Sequence, residues 1–387
     1  MIVQATSVLH VLWILCNSAV FNLYQLAIYV TIRPFNRALY RKVMGAQCQQ
    51  AWVDVLSCSF PKANIVATGD IPTDIAKPMI ILANHQVDAD WWYLWQMARL
   101  QGAAGNVKIT LKGELKHVPI IGWGMQFFEF LFLKRNIEHD RLHVQEYMQS
   151  FLQDQFPFWM IIFPEGTTIH TEYVAKSKAF AAKTNRPTFE HLLLPRSTGL
   201  QIMMDAFSSD ETQTKPDIYD LTMAYPSYSG EVPTFAMGYG RNVDTDIPSM
   251  KSLVAGSGPD DVFVHGQKFS FEDVQSLGVE AFLDRQWRAK DKLLTEFIAN
   301  QSFVSHAATR QVIAPCSSMT AICRLWGAAL VSFFILPLLL ITVVPCYALT
   351  VLYAGVMNSW DRRPTAFWPY LLNAVSEKKS AWKIKRA

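Results

Sequence analysis

The chain has 387 residues, enough for one large catalytic domain with membrane segments or for two ordinary domains. Hydrophobic residues make up 51% of it and charged residues only 17%, below the share of about 25% that is usual in soluble domains. We therefore expect lipid to cover part of the surface. Lys and Arg (35) exceed Asp and Glu (32) by only 3, which argues against a nucleic-acid partner. The six cysteines include no C-x-x-C pair, so we expect free thiols in a cytosol-facing domain and no metal site among them.

The first 32 residues carry no charged side chain. About 20 apolar residues cross a bilayer, so this run is long enough, and it lacks the basic start and small-residue cleavage site of a signal peptide. Four basic residues follow it directly: Arg33, Arg37, Arg41 and Lys42. This charge predicts that the chain after it lies in the cytosol, and we assign residues 1–42 to a membrane segment with a basic flank. Polar residues inside the run leave open a segment that dips into one leaflet only: Asn17, Asn22 and Gln25.

Residues 43–310 alternate between strand-like and helix-like stretches and are predicted to form the catalytic domain. Apolar, β-rich runs predict these strands: Ile65–Thr68, Met79–Ala83, Val107–Leu111, Phe130–Leu133, Trp159–Phe163, His191–Leu194, Tyr219–Ala224 and Phe235–Gly238. Helical patterns occupy these segments: Asp140–Gln153, Lys176–Ala182, Gly199–Phe207 and the long amphipathic Val279–Asn300. Met250–Asp261, rich in Gly, Ser and Pro, is predicted to be a surface loop. The alternation favours an α/β fold with a mixed, largely parallel sheet flanked by helices.

A second charge-free run extends from Leu325 to Trp360 and is interrupted by Pro337 and Pro345. Because proline breaks or kinks a helix, residues 311–360 are predicted to form a membrane hairpin or one kinked span. Residues 361–387 then form a basic cytosolic tail. Its lysines three and five residues from the C-terminus resemble a dilysine signal for retrieval to the endoplasmic reticulum, and a tail lying on anionic lipid is the alternative.

The strongest local signal is the sequence NHQVDAD at residues 84–90, directly after an apolar strand. Polar residues at the carboxyl end of a strand lie where α/β sheets hold their sites. His85 is the natural general base, because imidazole titrates near neutral pH. Asp90 can accept a bond from the other ring nitrogen and fix the tautomer, as in a serine triad whose serine is replaced by the substrate hydroxyl. A helix cap beside a packed histidine is the alternative.

Three further polar clusters also follow predicted strands. The turn Glu165-Gly166-Thr167 offers a glycine at which backbone N–H groups can approach phosphate or an oxyanion, although an ordinary turn has the same composition. Lys134-Arg135 ends an aromatic strand, and a guanidinium there suits bidentate phosphate binding, although a surface ion pair is more common. Arg196 leaves the next strand just before a helix start, where a simple helix cap is the alternative.

The order of these four blocks resembles the glycerolipid acyltransferase family, typified by lysophosphatidate acyltransferases, over roughly residues 60–240. The flanking segments are similar to the eukaryotic subgroup of lysocardiolipin and lysophosphatidylinositol acyltransferases: Lys112-Gly113-Glu114-Leu115, Ser177-Lys178-Ala179-Phe180-Ala181 and Ala224-Tyr225-Pro226. Apolar segments at both ends also match that subgroup. The second block departs from the commonest form, because Lys134-Arg135 lies where many members have a lone arginine.

The resemblance implies an acyl-CoA-dependent transfer to a lysophospholipid hydroxyl at an endoplasmic reticulum membrane, with the catalytic domain and tail in the cytosol. It implies that His85 deprotonates the hydroxyl, that Asp90 orients His85, and that the oxygen attacks the thioester directly. The expected substrate-binding residues are Arg135, Lys134, Glu165, Gly166, Thr167, Lys112 and Arg196. Membrane lipids are the expected partners, acyl-CoA is a co-substrate, and no cofactor or metal is expected.

The sequence leaves other functions open. The nearest is the same reaction on lysophosphatidate. A lipid hydrolase needs a nucleophile, and the chain has no Gly-x-Ser-x-Gly elbow. A metal hydrolase would use His85, Asp88 and Asp90, without a second ligand cluster in the sequence. The last alternative is a membrane scaffold that keeps the fold without turnover.

Overall fold

The structure is a computed structural model that describes residues 2–134, 136–208, 214–234, 238–239, 248–303 and 310–313, with four isolated positions between 323 and 330. Residues 1–329 form one compact unit. Most of the predicted C-terminal membrane segment (311–360), the whole tail (361–387) and the candidate site residue Arg135 lie outside the described residues. Their assignments stay predictions.

Ten strands occur in the described part of the chain. In chain order they are Asn64–Gly69 (β1), Met79–Ala83 (β2), Val107–Lys112 (β3), Leu131–Leu133 (β4), Trp159–Ile162 (β5), Asp217–Ala224 (β6), Pro233–Thr234 (β7), Gly238–Tyr239 (β8), Asp261–Phe269 (β9) and Gln311–Ile313 (β10). Eight of them form one sheet in the order β10-β1-β9-β6-β2-β5-β3-β4, and β7 pairs with β8. Within the large sheet only β1–β10 and β6–β9 are antiparallel neighbours. The predicted mixed, largely parallel sheet is confirmed.

Helices cover the sheet and confirm the predicted α/β class. In chain order they are Ile2–Ile32 (α1), Arg37–Val43 (α2), Gln50–Ser59 (α3), Asp90–Leu100 (α4), Ile121–Phe127 (α5), Ile137–Gln153 (α6), Thr171–Thr184 (α7), Thr198–Ser208 (α8), Met250–Val254 (α9), Phe271–Leu277 (α10) and Val279–Asn300 (α11). A π-helical stretch, Met44–Gln49, joins α2 to α3, and a 3₁₀ turn, Gly113–His117, follows β3.

One strand assignment from the sequence is wrong, and a second falls largely outside the described residues. His191–Leu194 joins no sheet: His191 and Leu192 lie in a bend, and the Leu193 and Leu194 N–H groups donate to the side chains of Glu165 and Ser177. Phe235–Gly238 falls largely outside the described residues, and only its Gly238 is placed, in the two-residue strand β8.

The sequence also missed a strand and a helix in one region. The predicted loop Met250–Asp261 begins with helix α9, which a capping box between Ser249 and Ser252 starts. The last residue of the predicted loop, Asp261, is the first residue of β9, and β9 lies between β1 and β6 in the sheet.

The centre of the sheet explains the position of the polar blocks. Every residue of β2 (MIILA) and of β5 (WMII) is buried, as expected for parallel strands covered on both faces. Parallel strands end at the same edge, so the segments that follow β2, β3, β4, β5 and β6 all emerge on one side of the sheet.

Helix α1 packs one stripe against the catalytic domain. Phe21 and Ile28 in this stripe are buried, and so are the polar Asn17 and Gln25. The Asn22 side chain donates to the carbonyl of Ile120 at 2.7 Å. The opposite side of α1 is apolar and exposed at Leu12, Leu23, Leu26 and Tyr29. Val11–Ile32 is long and apolar enough to cross a membrane, with a mean hydropathy of 1.6 and 28% of it buried. The polar residues of the predicted membrane segment therefore face the domain.

The basic flank after α1 is paired with carboxylates of the domain. Arg37 bonds Asp154 at 2.7 Å, and Arg41 bonds both Glu129 at 2.6 Å and Asp154 at 2.8 Å. Arg33 lies 3.6 Å from Glu129. Three of the four basic residues that predicted the membrane topology are thus paired within the structure. The Arg41 side chain is only 3% exposed.

Candidate active site

The imidazole of His85 is hydrogen-bonded to Asp90. His85 lies two residues after β2, Asp90 is the first residue of α4, and the turn between them brings His85 Nδ1 to 2.9 Å from Asp90 Oδ2. The Asp90 side chain is fully buried, whereas that of His85 is 17% exposed. A proton on Nδ1, held by Asp90, leaves the Nε2 lone pair to accept a proton from a ligand. The predicted pair is therefore formed, with the geometry of a general base and its orienting carboxylate.

Asp90 has two more hydrogen-bond donors. The backbone N–H of Val87 donates to Oδ2 at 3.0 Å, and the hydroxyl of Tyr225 donates to Oδ1. Tyr225 is the first residue after β6 and is fully buried. Tyr225 is absent from the site residues that the sequence predicts. The signal available there was a polar group placed directly after a strand, as in the other blocks.

Glu165 is directed into the protein. It lies three residues after β5 and is 3% exposed. Its Oε1 accepts the backbone N–H of His85 at 3.1 Å, and its Oε2 accepts that of Leu193 at 3.2 Å. Burial raises the pKa of Glu165 to about 8, and the two N–H groups oppose that rise. Both oxygens accept backbone hydrogen bonds, and the predicted contact of Glu165 with substrate stays a prediction.

Other contacts fix His85 from the remaining sides. The ring of Phe163 stacks on the imidazole, with centroids 4.1 Å apart and planes inclined by 19°. The His85 carbonyl accepts the N–H of Ile169 at 3.0 Å. The Asn84 side chain pairs with the backbone of Met223, accepting its N–H at 2.7 Å and donating to its carbonyl at 3.0 Å. The imidazole is thus held rigidly at the edge of the sheet.

Gly166 and Arg196 meet beside the His85 segment. Gly166 has a φ of 75°, and a Cβ on it would lie 3.5 Å from Arg196 Nε. The Arg196 N–H donates to the carbonyl of Pro164 at 2.8 Å, and the side chain is exposed. Thr167 follows in the same turn, half-buried. The structure therefore brings the third and fourth sequence blocks together, with a guanidinium free to meet solvent.

Lys112 and Lys134 lie further along the same edge. Lys112 is the last residue of β3 and Lys134 follows β4, and both are exposed. Neighbouring strands are about 4.8 Å apart, so β4 lies roughly 14 Å from β2. Lys134 borders a groove of about 690 Å³ that Arg33, Lys116 and His143 also line.

An apolar cavity of about 110 Å³ lies between α1, α3, α4, α5 and β3. It is lined mainly by aromatic and aliphatic side chains, among them Trp52, Trp91, Trp95, Phe128 and Phe130. Trp91 directly follows Asp90 and is half-buried. Trp92 and Trp95, on the same helix, are buried in the core.

The carboxylate of Asp88 points elsewhere. It accepts the backbone N–H of Met250 at 3.1 Å, and burial raises its pKa. Over the residues that the structure describes, no group of three or more His, Cys, Asp or Glu side chains is arranged to hold a metal ion.

Comparison with known proteins identifies the domain that carries this site. A family model described as Acyltransferase matches residues 63–225. Over 267 residues the chain is 27% identical to the Probable 1-acyl-sn-glycerol-3-phosphate acyltransferase 5 of Arabidopsis thaliana, covering 67% of this chain and 65% of that protein. Over 238 residues it is 31% identical to Lysocardiolipin acyltransferase 1 of Danio rerio, covering 60% of this chain and 55% of that protein. The match spans less than two thirds of the length of either relative.

Among solved structures, the chain is similar to the 1-acyl-sn-glycerophosphate acyltransferase PlsC from Thermotoga maritima. The TM-score is 0.34 at 16% sequence identity, over 72% of this chain and 97% of that one. The family resemblance read from the sequence is confirmed by the family model and by the relatives. Residues 63–225, which carry the His85–Asp90 pair, match the Acyltransferase family model.

Proposed function

We propose that the chain transfers an acyl group from acyl-CoA to the free hydroxyl of a lysophospholipid. The observation that carries the proposal is the 2.9 Å bond between His85 Nδ1 and the fully buried Asp90, on an imidazole that is itself partly exposed. An oriented imidazole that reaches solvent suits proton abstraction from a bound hydroxyl.

Transfer proceeds in one displacement. His85 Nε2 accepts the proton of the hydroxyl while the hydroxyl oxygen forms a bond to the thioester carbonyl carbon. The carbon–sulfur bond then breaks, the ester carbonyl reforms, and the CoA thiolate leaves and takes the proton from the imidazolium. Asp90 keeps the Nδ1 proton in place and stabilises the imidazolium charge. Acyl-CoA is a co-substrate, and the step uses no cofactor or metal.

The acceptor is a phosphate-bearing lysolipid of the lysocardiolipin or lysophosphatidylinositol type, and lysophosphatidate is the second candidate. One relative is named for lysocardiolipin and another for 1-acyl-sn-glycerol-3-phosphate. Three exposed cationic side chains can bind an anionic head group: Arg196 beside Gly166, Lys112 at the end of β3 and Lys134 after β4. Arg135, which follows Lys134 in the sequence, is proposed as a further phosphate-binding residue. Thr167 adds a hydroxyl to the Gly166 turn.

Lipid substrates fit the apolar surroundings of the pair. The aromatic cavity beside α4 accepts part of an acyl chain, where each buried CH₂ contributes about 0.8 kcal/mol. The exposed apolar side of α1 meets the membrane. We propose a location at the endoplasmic reticulum membrane, with the catalytic domain in the cytosol, on the side that the basic residues after α1 favour.

The test uses the purified full chain in nanodiscs, a panel of lysophospholipids and several acyl-CoAs. We expect acylation of at least one panel member, and a loss of about 10²- to 10⁴-fold in His85→Ala with the fold retained. His117→Ala, which removes an exposed imidazole from the 3₁₀ turn, is the matched control and keeps full activity. No transfer to any acceptor by the unmutated chain would favour the scaffold alternative, and full activity in His85→Ala would remove the base assignment.

A further inference from the structure

Asp90 is held by donors on both of its oxygens. Oδ2 accepts from His85 Nδ1 and from the Val87 N–H, and Oδ1 accepts from the hydroxyl of Tyr225. Neither Asp90 nor Tyr225 is exposed to solvent. Burying a carboxylate is unfavourable unless hydrogen-bond donors compensate for the lost hydration. Of the three donors to Asp90, Tyr225 is the one outside the His85–Asp90 turn, directly after β6.

The fold brings Tyr225 to this place through the pairing of β6 with β2. These strands are parallel, with Ala83 opposite Leu221. The Asn84 side chain bonds both backbone groups of Met223 and so continues the pairing past the end of β2. Tyr225, two residues later, is thereby held beside the turn that carries the His85–Asp90 pair.

The orientation of Asp90 follows from these bonds. With Oδ1 anchored by Tyr225, the carboxylate cannot rotate without losing that bond, so Oδ2 stays directed at Nδ1 of His85. The hydroxyl also withdraws charge from the carboxylate. A carboxylate that loses this donor holds the imidazolium proton more strongly, because it interacts more favourably with the charged form of the neighbouring ring.

We infer that Tyr225 is a positioning residue of the reaction: it acts through Asp90 to hold the imidazole of His85 in place. This inference rests on the proposed function. Tyr225 itself touches no reacting atom in this account, which separates its expected effects from those of His85.

Tyr225→Phe tests the inference, because it removes one oxygen and keeps the ring. In the full chain in nanodiscs we expect kcat to fall about 10- to 100-fold, as for a lost bond to a buried charge, with KM for both substrates nearly unchanged. We also expect the acid limb of the pH profile of kcat/KM to move to higher pH by about half a unit or more. If the hydroxyl only stabilises the fold, Tyr225→Phe will lower the fraction of active enzyme and leave the acid limb of the pH profile unmoved.

Tyr93→Phe is the matched control. Tyr93 lies on α4, its ring meets that of Tyr225 at 5.9 Å, and it is equally buried. Among the described residues its hydroxyl has no hydrogen-bond partner. We expect this variant to keep the kcat and the pH profile of the unmutated chain.

A double-mutant cycle with Asp90→Asn asks whether Tyr225 acts through Asp90. If it does, Tyr225→Phe costs much less activity in the Asp90→Asn background than in the unmutated chain. Equal losses in both backgrounds, or a kcat within twofold of normal with an unmoved acid limb, would overturn the inference. Both outcomes leave the proposed function intact as long as His85→Ala is inactive, whereas an unmutated chain without transfer removes both.

A second variant covers the case in which Tyr225→Phe does not fold. A monofluorinated tyrosine at position 225 keeps the hydroxyl and is a stronger donor. The acid limb should then move to lower pH, opposite to the shift in Tyr225→Phe, and no shift would contradict the inference.

Discussion

The carboxylate of Glu165 accepts a hydrogen bond from the backbone N–H of His85, at 3.1 Å. Its second oxygen accepts the N–H of Leu193, in a segment that joins no strand. Glu165 therefore links the turn after β5 to the residue proposed as the base and to the stretch leading to Arg196. Such a link makes the glutamate a support for the site, and the substrate contact expected from the sequence stays a prediction.

Replacement of this carboxylate tests its role. In Glu165→Gln one oxygen becomes an NH₂ group, which faces an N–H donor and leaves a buried donor unpaired, at a cost of about 1–3 kcal/mol. We expect a lower unfolding temperature and a reduced kcat, with KM for the lysolipid nearly unchanged. A large rise in KM with normal kcat and stability would restore the substrate-binding role.

Glu172→Gln is the matched control for that measurement. Glu172 lies in the first turn of α7, is exposed, and pairs with Lys176 on the surface at 2.5 Å. Surface pairs of this kind contribute little to stability. We expect its kinetics and unfolding temperature to match those of the unmutated chain.

The pH dependence of stability offers an independent test of the burial of Glu165. Its pKa rises from 4.5 to about 8 on burial, so between these values the folded chain binds a proton that the unfolded chain has released. Stability must therefore fall as pH rises from about 5 to 8. We expect the unfolding temperature of the unmutated chain to decline over this window and the decline to be shallower in Glu165→Gln. Equal slopes in the two proteins would show that Glu165 is ionised in the fold.

Local patterns predicted the parts of the fold that depend on nearby residues. The buried run MIILA and the amphipathic α11 have the boundaries read from the sequence, because hydrophobic period and length decide them. The His85–Asp90 pair was also predictable, since a five-residue spacing after a buried strand brings both side chains to one turn.

Long-range pairings were not predictable in the same way. The partners of Glu165 and the bond from Tyr225 to Asp90 depend on which strands are neighbours, and a single sequence contains no signal of that order. The stretch His191–Leu194 has the apolar composition of a strand, yet side chains take the N–H groups that a sheet would use. Tertiary contacts overrode composition there.

The ion network around Arg41 should dominate the stability of the junction between α1 and the domain. The Arg41 guanidinium bonds Glu129 and Asp154 and lies 3.8 Å from the centroid of the Phe151 ring. Removing one partner of a buried pair costs about 3–5 kcal/mol, because the remaining charges stay uncompensated. We expect Arg41→Gln to lower the unfolding temperature sharply, measured in detergent, while Lys42→Gln, at an exposed neighbour, leaves it unchanged. Similar temperatures for both variants would contradict the network.

The packing of α1 predicts on which side of the membrane its N-terminus lies. Trp13 donates to Ser59 at 3.0 Å, Asn22 donates to Ile120, and the helix stays against the domain as far as the paired Arg33. The stretch from Trp13 to Ile32 is about 30 Å long, the thickness of the hydrocarbon core. A perpendicular span would therefore carry the attached domain into the bilayer, so we expect α1 to lie in one leaflet with its exposed apolar side toward lipid. An N-terminal epitope should then be cleaved by protease added to intact microsomes, together with the catalytic domain, while a lumenal marker is protected. Protection of the epitope would establish a spanning helix.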